Sequence, residues 1–209
     1  MKIEGEYLFN GPRAELWEVI RDPEILATAL PGTKSLDKVC ENEYVGEMNV
    51  RVGPVGGLFS GRLTVSNEVP PESLTLSVEG KGSPGFLNGM GNVILDEQGD
   101  GKTLMKYEGD VQVGGKLASV GQRLLDTASK SMIRQGLEAL DMALQARVAA
   151  KAEGKEVEYT PPSESEFVAG VAKDMARQAL SSRTVWIVIA VVVIIAILVV
   201  YWISASSGS

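Results

Sequence analysis

Residues 43–66, EYVGEMNVRVGPVGGLFSGRLTVS, alternate twice between apolar or small residues and polar ones, with a Gly-Pro pair between the two halves. In the first half the even positions from 44 to 52 form the apolar set, and in the second half the odd positions from 59 to 65 do. A period of two is typical of a strand with one buried face and one solvated face. The stretch therefore predicts an antiparallel hairpin that turns at Gly53-Pro54.

The same alternation extends in both directions along the chain. Between Thr33 and Val113, turn clusters separate six alternating segments, and residues 2–9 add an earlier one. The clusters are Glu41-Asn42, Gly53-Pro54, Pro70-Pro71, Gly82-Ser83-Pro84 and Gly99-Asp100-Gly101. Together these segments predict a curved antiparallel sheet of about seven strands.

Helical patterns lie before and after the run of six segments. We expect Asn10 to cap one short helix and Asp22-Pro23 to start a second. Apolar residues recur every three or four positions from residue 116 to about 150, which predicts one long amphipathic helix. Such a helix must cover the apolar face of the sheet. The order of elements predicts an α+β fold over residues 1–150, in which a curved sheet grips a long C-terminal helix.

Composition excludes several functional classes. The formal net charge is −7 and the basic residues are scattered, so nucleic acid is not expected as a partner. The chain has no histidine, which removes the commonest general base and transition-metal ligand, and its single cysteine, Cys40, excludes a thiolate cluster. We expect no catalytic residue, no metal and no enzymatic activity. The lone cysteine and the absence of an apolar signal segment at residues 1–6 favour a cytosolic location for the main domain.

The C-terminal region predicts attachment to a membrane. Residues 185–203, VWIVIAVVVIIAILVVYWI, carry no charge, and a helix of this length spans ~28 Å, the thickness of a bilayer's hydrocarbon core. We expect a single-pass anchor at 183–204 with a short tail at 205–209. Because Lys and Arg precede the segment and none follows it, the main domain would be cytoplasmic at the cell inner membrane. The alternative, a buried core helix, would need a large protein around it.

Two segments connect the predicted anchor to the predicted domain. Residues 151–165, KAEGKEVEYTPPSES, are charged and contain two prolines, which is typical of a flexible linker. Residues 166–182 predict an amphipathic juxtamembrane helix. That helix could lie on the membrane surface or extend the anchor helix, and the sequence does not choose between these.

Glycines occur where the apolar face of the sheet would normally carry large side chains; they are Gly5, Gly46, Gly61, Gly80 and Gly109. Glycine at such positions indicates a bend, a bulge or room for a ligand, and the sequence leaves curvature and cavity as open alternatives. A curved sheet that faces a helix encloses space, so both can hold. We expect a ligand cavity lined by apolar residues. The candidate lining residues are Met48, Val50, Phe59, Gly61, Leu63, Leu87, Met90, Met105, Tyr107, Gly109, Leu124 and Met132.

Several short motifs occur together in one order. They are Asp22-Pro23 leading to Leu30-Pro31-Gly32, then Val52-Gly53-Pro54-Val55, Phe59-Ser60-Gly61, Val113-Gly114-Gly115-Lys116-Leu117-Ala118 and Gly121-Gln122-Arg123-Leu124. In this order the chain resembles the carbon monoxide dehydrogenase CoxG subunit family, within the START-like helix-grip superfamily, over residues 1 to about 147. The resemblance implies an accessory protein of an aerobic molybdenum-containing carbon monoxide dehydrogenase, or of a related molybdenum hydroxylase, that helps attach the enzyme to the cytoplasmic membrane. It also implies binding of lipids or other large apolar molecules between sheet and helix, and it supplies no catalytic residue.

The sequence leaves three functional hypotheses. In the first, the helix-grip domain takes an apolar ligand from the membrane, a respiratory quinone (menaquinone or ubiquinone) or another lipid, and couples the dehydrogenase to the electron-transport chain. In the second, the protein is a docking adaptor that holds no ligand, or a generic lipid-binding protein. In the third, it is an enzyme of the same fold, which the lack of a convergent acid and base pair disfavours.

Overall fold

The computed structural model describes residues 1–153, in which seven strands and three α-helices follow one another along the chain. Their bounds are β1 (Lys2–Phe9), α1 (Arg13–Val19), α2 (Pro23–Ala29), β2 (Thr33–Cys40), β3 (Glu43–Val52), β4 (Val55–Val69), β5 (Ser73–Gly82), β6 (Gly85–Gln98), β7 (Lys102–Gly114) and α3 (Gln122–Glu153). The five predicted turn clusters all fall at connections between strands, which confirms this part of the sequence prediction.

The strands form one antiparallel sheet in the order β1-β7-β6-β5-β4-β3-β2. Strands β2 to β7 therefore form a meander. Strand β1 pairs with β7 and is one edge of the sheet, and β2 is the other edge. The hairpin of residues 43–66 has the expected register, since Val52 pairs with Val55 and Tyr44 with Leu63. The seven-stranded sheet and the long C-terminal helix confirm the predicted fold class.

The structure corrects the predicted start of α1 and confirms that of α2. Asn10 does not cap α1, whose N-cap is Pro12 without a side-chain hydrogen bond. The Asn10 side chain instead donates to the carboxylate of Asp141 on α3. In contrast, Asp22 does cap α2, because its carboxylate accepts hydrogen bonds from the main-chain N–H groups of Glu24 and Ile25.

The long helix begins six residues later than predicted. Residues Gly115–Val120 form a 3₁₀ helix, and α3 starts at Gln122. Gly121 separates the two with φ +91°, a conformation that a helix cannot contain and that favours glycine. The apolar spacing continues through this break, so periodicity alone did not detect it.

The most deeply buried core lies at one end of the space between sheet and helix. Phe9 from β1, Leu16 from α1, Tyr44 from β3 and Leu144 from α3 are all fully buried there. Asp141 is also buried, and it accepts hydrogen bonds from the main-chain and side-chain nitrogens of Asn10 at 2.8 and 2.9 Å. The C-terminal half of α3 is thereby fixed to the end of β1.

The part of the chain that the structure describes contains no helix that is both long and apolar enough to cross a bilayer. The predicted anchor at 183–204, the tail at 205–209 and the amphipathic segment at 166–182 lie outside the described residues. The predicted linker at 151–165 also lies outside them, apart from its first three residues, which belong to α3.

Candidate functional site

A cavity of about 480 Å³ lies between the concave face of the sheet and α3. Strands β3 to β7 form one wall, α3 forms the opposite wall, and α2 with the start of β2 closes one side. At one end the cavity meets the buried core, where Val65, Leu74, Val93 and Met105 line it and are each less than a tenth exposed. The volume falls within the range of sites that hold small apolar ligands.

The lining is apolar because of strand alternation. The charged residues at the wall, Glu47, Arg62 and Glu79, occupy positions whose side chains point to the other face of the sheet. Arg62 is half exposed there and forms an ion pair with Glu43. The main chain of these residues, not their charge, therefore contributes to the cavity wall. An apolar interior without an ionised group suits an uncharged apolar guest.

Nine of the twelve predicted lining residues do line this cavity. They are Met48, Val50, Phe59, Gly61, Leu63, Leu87, Met105, Tyr107 and Met132. Whether they bind a ligand stays a prediction.

Met90, Gly109 and Leu124 are not among the lining residues. Met90 alternates with Leu87 to the outer face of β6, where its side chain is 63% exposed. Gly109 faces inward, but a Cβ there would lie 2.6 Å from the Met90 carbonyl oxygen, so β6 closes off that position. Leu124 is the third residue of α3 and packs on the β3–β4 turn at Gly53.

Sequence reasoning missed the contributions of α2 and of the middle of α3. Leu26, Ala29 and Leu30 line the cavity from the α2 segment. On α3, the lining residues Ile133, Gly136, Leu137 and Leu140 continue the stripe of Met132 at helical spacing. Extending that stripe would have found the α3 residues, whereas the position of α2 depends on tertiary packing that no local pattern carries.

Three of the predicted inward glycines are neighbours across the sheet. Gly46 pairs with Gly61, which in turn pairs with Gly80. A Cβ at Gly46 would overlap the carbonyl oxygen of Ser35, and one at Gly61 would lie 2.8 Å from the carbonyl oxygen of Glu79. These two glycines therefore permit close approach of neighbouring main chains, as a strongly bent sheet requires.

Gly80 differs from the other two glycines of this row. A Cβ there would meet the Phe59 ring at 3.7 Å and the Leu87 carbonyl oxygen at 4.0 Å, which are ordinary contacts. Its missing side chain leaves room in the cavity. The two alternatives left open by the sequence, curvature and space, thus apply at different glycines.

A second, polar cleft of about 540 Å³ lies on the other side of α3, against β1 and β7. Lys2, Glu4, Asp126 and Lys130 are among the residues that line it. The cleft and the apolar cavity share three lining residues, Tyr107, Ile133 and Leu137, which therefore form the wall between them. Burial raises the pKa of the Tyr107 hydroxyl above its usual value, so it is protonated at neutral pH.

Within residues 1–153, no three potential metal-ligating side chains lie close enough together to hold a metal ion.

A curved antiparallel sheet around a long C-terminal helix, with an apolar cavity between them, defines the helix-grip fold of the START superfamily. A START superfamily protein from Mycobacterium smegmatis has the same fold, with 11% identity, a TM-score of 0.53 and coverage of 69% of this chain and 97% of that one. The Zhui aromatase/cyclase from Streptomyces sp. R1128 is similar at 14% identity and a TM-score of 0.55, covering 75% of this chain and 99% of that one. A conserved protein from Geobacillus kaustophilus is similar at 30% identity and a TM-score of 0.67, with coverage of 69% of this chain and 95% of that one.

Residues 5–145 match the carbon monoxide dehydrogenase CoxG subunit family, and the chain belongs to this family. No sequence among the curated proteins matches the chain. The family name implies association with carbon monoxide dehydrogenase. Family membership therefore points to an accessory subunit of that enzyme.

Proposed function

We propose that this protein is a membrane-anchored accessory subunit of an aerobic molybdenum-containing carbon monoxide dehydrogenase. Its helix-grip cavity holds a respiratory quinone, menaquinone or ubiquinone, and presents it to the enzyme, so that electrons from carbon monoxide reach the membrane electron-transport chain. The observation that carries the proposal is the apolar cavity of about 480 Å³ in a chain of the CoxG family.

An apolar cavity would lower the free-energy cost of moving a quinone from the bilayer to a soluble enzyme. Isoprenoid chains stay in the bilayer because exposing each methylene to water costs ~0.8 kcal/mol. An apolar lining offsets that cost for the part of the ligand that it covers. A cavity of 480 Å³ accommodates a quinone ring with the first part of its chain, and the remainder would stay in contact with lipid or with the cavity mouth.

The membrane part of the proposal depends on the apolar sequence at 185–203. An anchor there would keep the cavity close to the bilayer that supplies the ligand. The charged segment that follows α3, residues 154–165, would give the domain reach, since a flexible chain of twelve residues has a root-mean-square extension of ~19 Å. The main domain would lie on the cytoplasmic side of the cell inner membrane.

A docking adaptor without a ligand is the second candidate. It is favoured by apolar side chains on the outer face of β6, where Phe86, Met90 and Ile94 are 42%, 63% and 47% exposed. These residues lie four positions apart on one strand and face away from the cavity. A dehydrogenase could contact this stripe whether or not the cavity is filled.

Substitution of Gly80 by leucine separates the two candidates. The new side chain adds four carbons, each about the size of a water molecule at ~30 Å³. It would fill roughly a quarter of the cavity without the main-chain overlap that Gly61 would suffer. Gly80→Ala is the matched control, because it changes the same position and leaves most of the space.

The assay uses the full-length chain in vesicles that contain ubiquinone, together with the purified dehydrogenase, and follows quinone reduction that depends on carbon monoxide. The carrier proposal expects Gly80→Leu to bind the dehydrogenase normally and to lose at least tenfold in quinone reduction, with Gly80→Ala close to wild type. Equal quinone reduction by wild type and Gly80→Leu would refute the carrier and favour the adaptor.

A further inference from the structure

The connections at one end of the sheet form a contiguous surface, which we call the turn end. It consists of the β3–β4 turn, the β5–β6 turn, the 3₁₀ helix that follows β7 and the first turn of α3. The main-chain N–H of Leu117 in the 3₁₀ helix donates to the Pro84 carbonyl oxygen of the β5–β6 turn at 2.9 Å. A Cβ on Gly57 would lie 2.8 Å from the Pro84 ring, and Leu124 packs on Gly53. Three separate parts of the chain therefore meet at this end.

The turn end carries cations and no acidic residue. The stretches that build it are 49–58, 81–87 and 113–125. The chain has 27 Asp and Glu residues, and none of them falls in these stretches. The cations there are Arg51, Lys81, Lys116 and Arg123, and all four are exposed. None of the four forms an ion pair with a carboxylate within residues 1–153. A chain with a net charge of −7 thus presents a positive surface here.

Two exposed apolar side chains lie beside these cations. Leu58 and Phe86 are on the outer face of the sheet and are each 42% exposed. Phe86 pairs with Lys81 across the sheet, and Leu58 pairs with Asn49, two residues before Arg51 on the same face. A basic surface with apolar side chains among its charges matches anionic lipid head groups, because the cations attract the phosphates while the apolar groups enter the edge of the hydrocarbon.

The cavity lies directly behind this surface. Val50 and Gly80 line the cavity, and their chain neighbours Arg51 and Lys81 point to the opposite face of the same strands. A contact between the turn end and a bilayer would therefore bring the cavity within one thickness of the sheet from the lipid.

The length of the chain permits this contact. Helix α3 has 32 residues, so its last residue lies ~48 Å from its start at the turn end. Residues 154–182 precede the predicted anchor. With 166–182 helical and 154–165 extended, they reach ~65 Å, which is more than the length of α3.

We propose that the turn end binds the surface of a bilayer that contains anionic phospholipids. The four cations contact the head-group phosphates, and Leu58 and Phe86 enter the interface beside them. The inference rests on the proposed function, since it requires that the domain work at the membrane. It adds to the predicted anchor a second contact, made by the folded domain, that depends on lipid charge and weakens with salt.

A fluorescent label on a single cysteine tests the contact. The native Cys40 is exposed beside the β2–β3 turn, at the other end of the sheet, and is the control position. The test position is Leu58→Cys in a chain that also carries Cys40→Ser. Each full-length chain is labelled with an environment-sensitive nitrobenzoxadiazole dye. It is then incorporated into vesicles of phosphatidylcholine, either alone or mixed with phosphatidylglycerol.

Charge variants identify the source of the attraction. K81Q/K116Q/R123Q removes three charges from the turn end. K38Q/K102Q/K106Q is the matched control, because it removes three charges from β2 and from the start of β7. Arg51 is kept in both variants, since the stem of its side chain lies against Gly56 and helps to pack the β3–β4 hairpin.

We expect the emission of the label at residue 58 to shift to shorter wavelength in the anionic vesicles only, and high salt should reverse the shift. The label at residue 40 should emit alike in both kinds of vesicle. Each Lys or Arg at an anionic surface contributes about fivefold to the binding equilibrium, so three lower it about 100-fold. K81Q/K116Q/R123Q should therefore lose the shift, and the matched control should keep it.

The inference is wrong if the label at residue 58 emits alike in both kinds of vesicle, or if the two charge variants behave alike. It is also wrong if the purified dehydrogenase, and not anionic lipid, shifts the emission from residue 58, because the turn end would then bind the enzyme. The quinone content of the same samples tests the proposed function separately. Bound quinone without the shift contradicts only this inference, whereas the shift without bound quinone contradicts only the proposed carrier.

Discussion

Replacing Gly61 with alanine tests the assignment of the glycine row to curvature. The new Cβ would lie 2.8 Å from the carbonyl oxygen of Glu79, a main-chain atom of the β5 strand that cannot rotate away. Overpacking of this kind costs about 1–3 kcal/mol. Alanine also lowers the conformational entropy of the unfolded chain, which stabilises the folded state by about 0.4–1 kcal/mol. We therefore expect the free energy of unfolding to fall by about 1–2 kcal/mol.

Gly80→Ala is the matched control, because residue 80 is the direct neighbour of residue 61 across the sheet. Its Cβ would have 3.7 Å to the nearest heavy atom, and neither glycine has a positive φ. Only the effect on the unfolded chain remains. The free energy of unfolding of Gly80→Ala should therefore equal that of wild type or exceed it by up to about 1 kcal/mol.

Urea unfolding of the full-length chain, followed by far-ultraviolet circular dichroism, measures both variants. With an m value of ~2 kcal/mol/M, the midpoint for Gly61→Ala should fall by ~0.5–1 M, and that for Gly80→Ala should stay or rise. Equal stability of Gly61→Ala and wild type, or equal losses in the two variants, would show that close main-chain approach is not what glycine provides at residue 61.

Two polar contacts of α3 give further predictions. Asp141→Ala should lower the unfolding free energy by about 1–3 kcal/mol in the same urea assay, because it leaves the main-chain N–H of Asn10 without its acceptor. Asp141→Asn, which keeps one acceptor oxygen, should lose less, and equal losses in both variants would contradict this. The ammonium of Lys151 and, more weakly, the guanidinium of Arg147 hold the pKa of Glu15 below its usual value. The folded state then binds fewer protons than the unfolded state, so stability present at neutral pH is lost as the pH falls through the lowered pKa of Glu15 in the folded state. Glu15→Gln should flatten that part of the stability profile, and an unchanged profile would exclude Glu15 as a contributor.

Local patterns were sufficient for most of the fold. The alternation of residues 43–66 and the turn clusters around it are determined by burial of one strand face, so the seven strands could be predicted. The start of α3 could not, since the apolar spacing continues from residue 116 and only the φ of Gly121 breaks the helix. Asn10 has the residue type of a helix cap, but its partner, Asp141, is 131 positions away and invisible to local reasoning.

The candidate site was predictable where it depends on strand alternation alone. Residues such as Phe59 and Leu63 followed from the register of β4. Met90 was misplaced because it was grouped with Leu87, although an odd separation puts two residues of one strand on opposite faces. The contact of Gly109 with β6 depends on how closely two strands approach, which the sequence does not specify.

The composition of an apolar extract of the purified full-length protein tests the central claim most directly. The measurement is mass spectrometry of that extract, with the amount of each molecule expressed per chain. The proposal predicts about one quinone per chain in wild type and a loss of most of it in Gly80→Leu, while Gly80→Ala keeps it. Absence of any stoichiometric apolar molecule from wild type, or equal amounts in wild type and Gly80→Leu, would contradict the claim that the cavity holds the ligand.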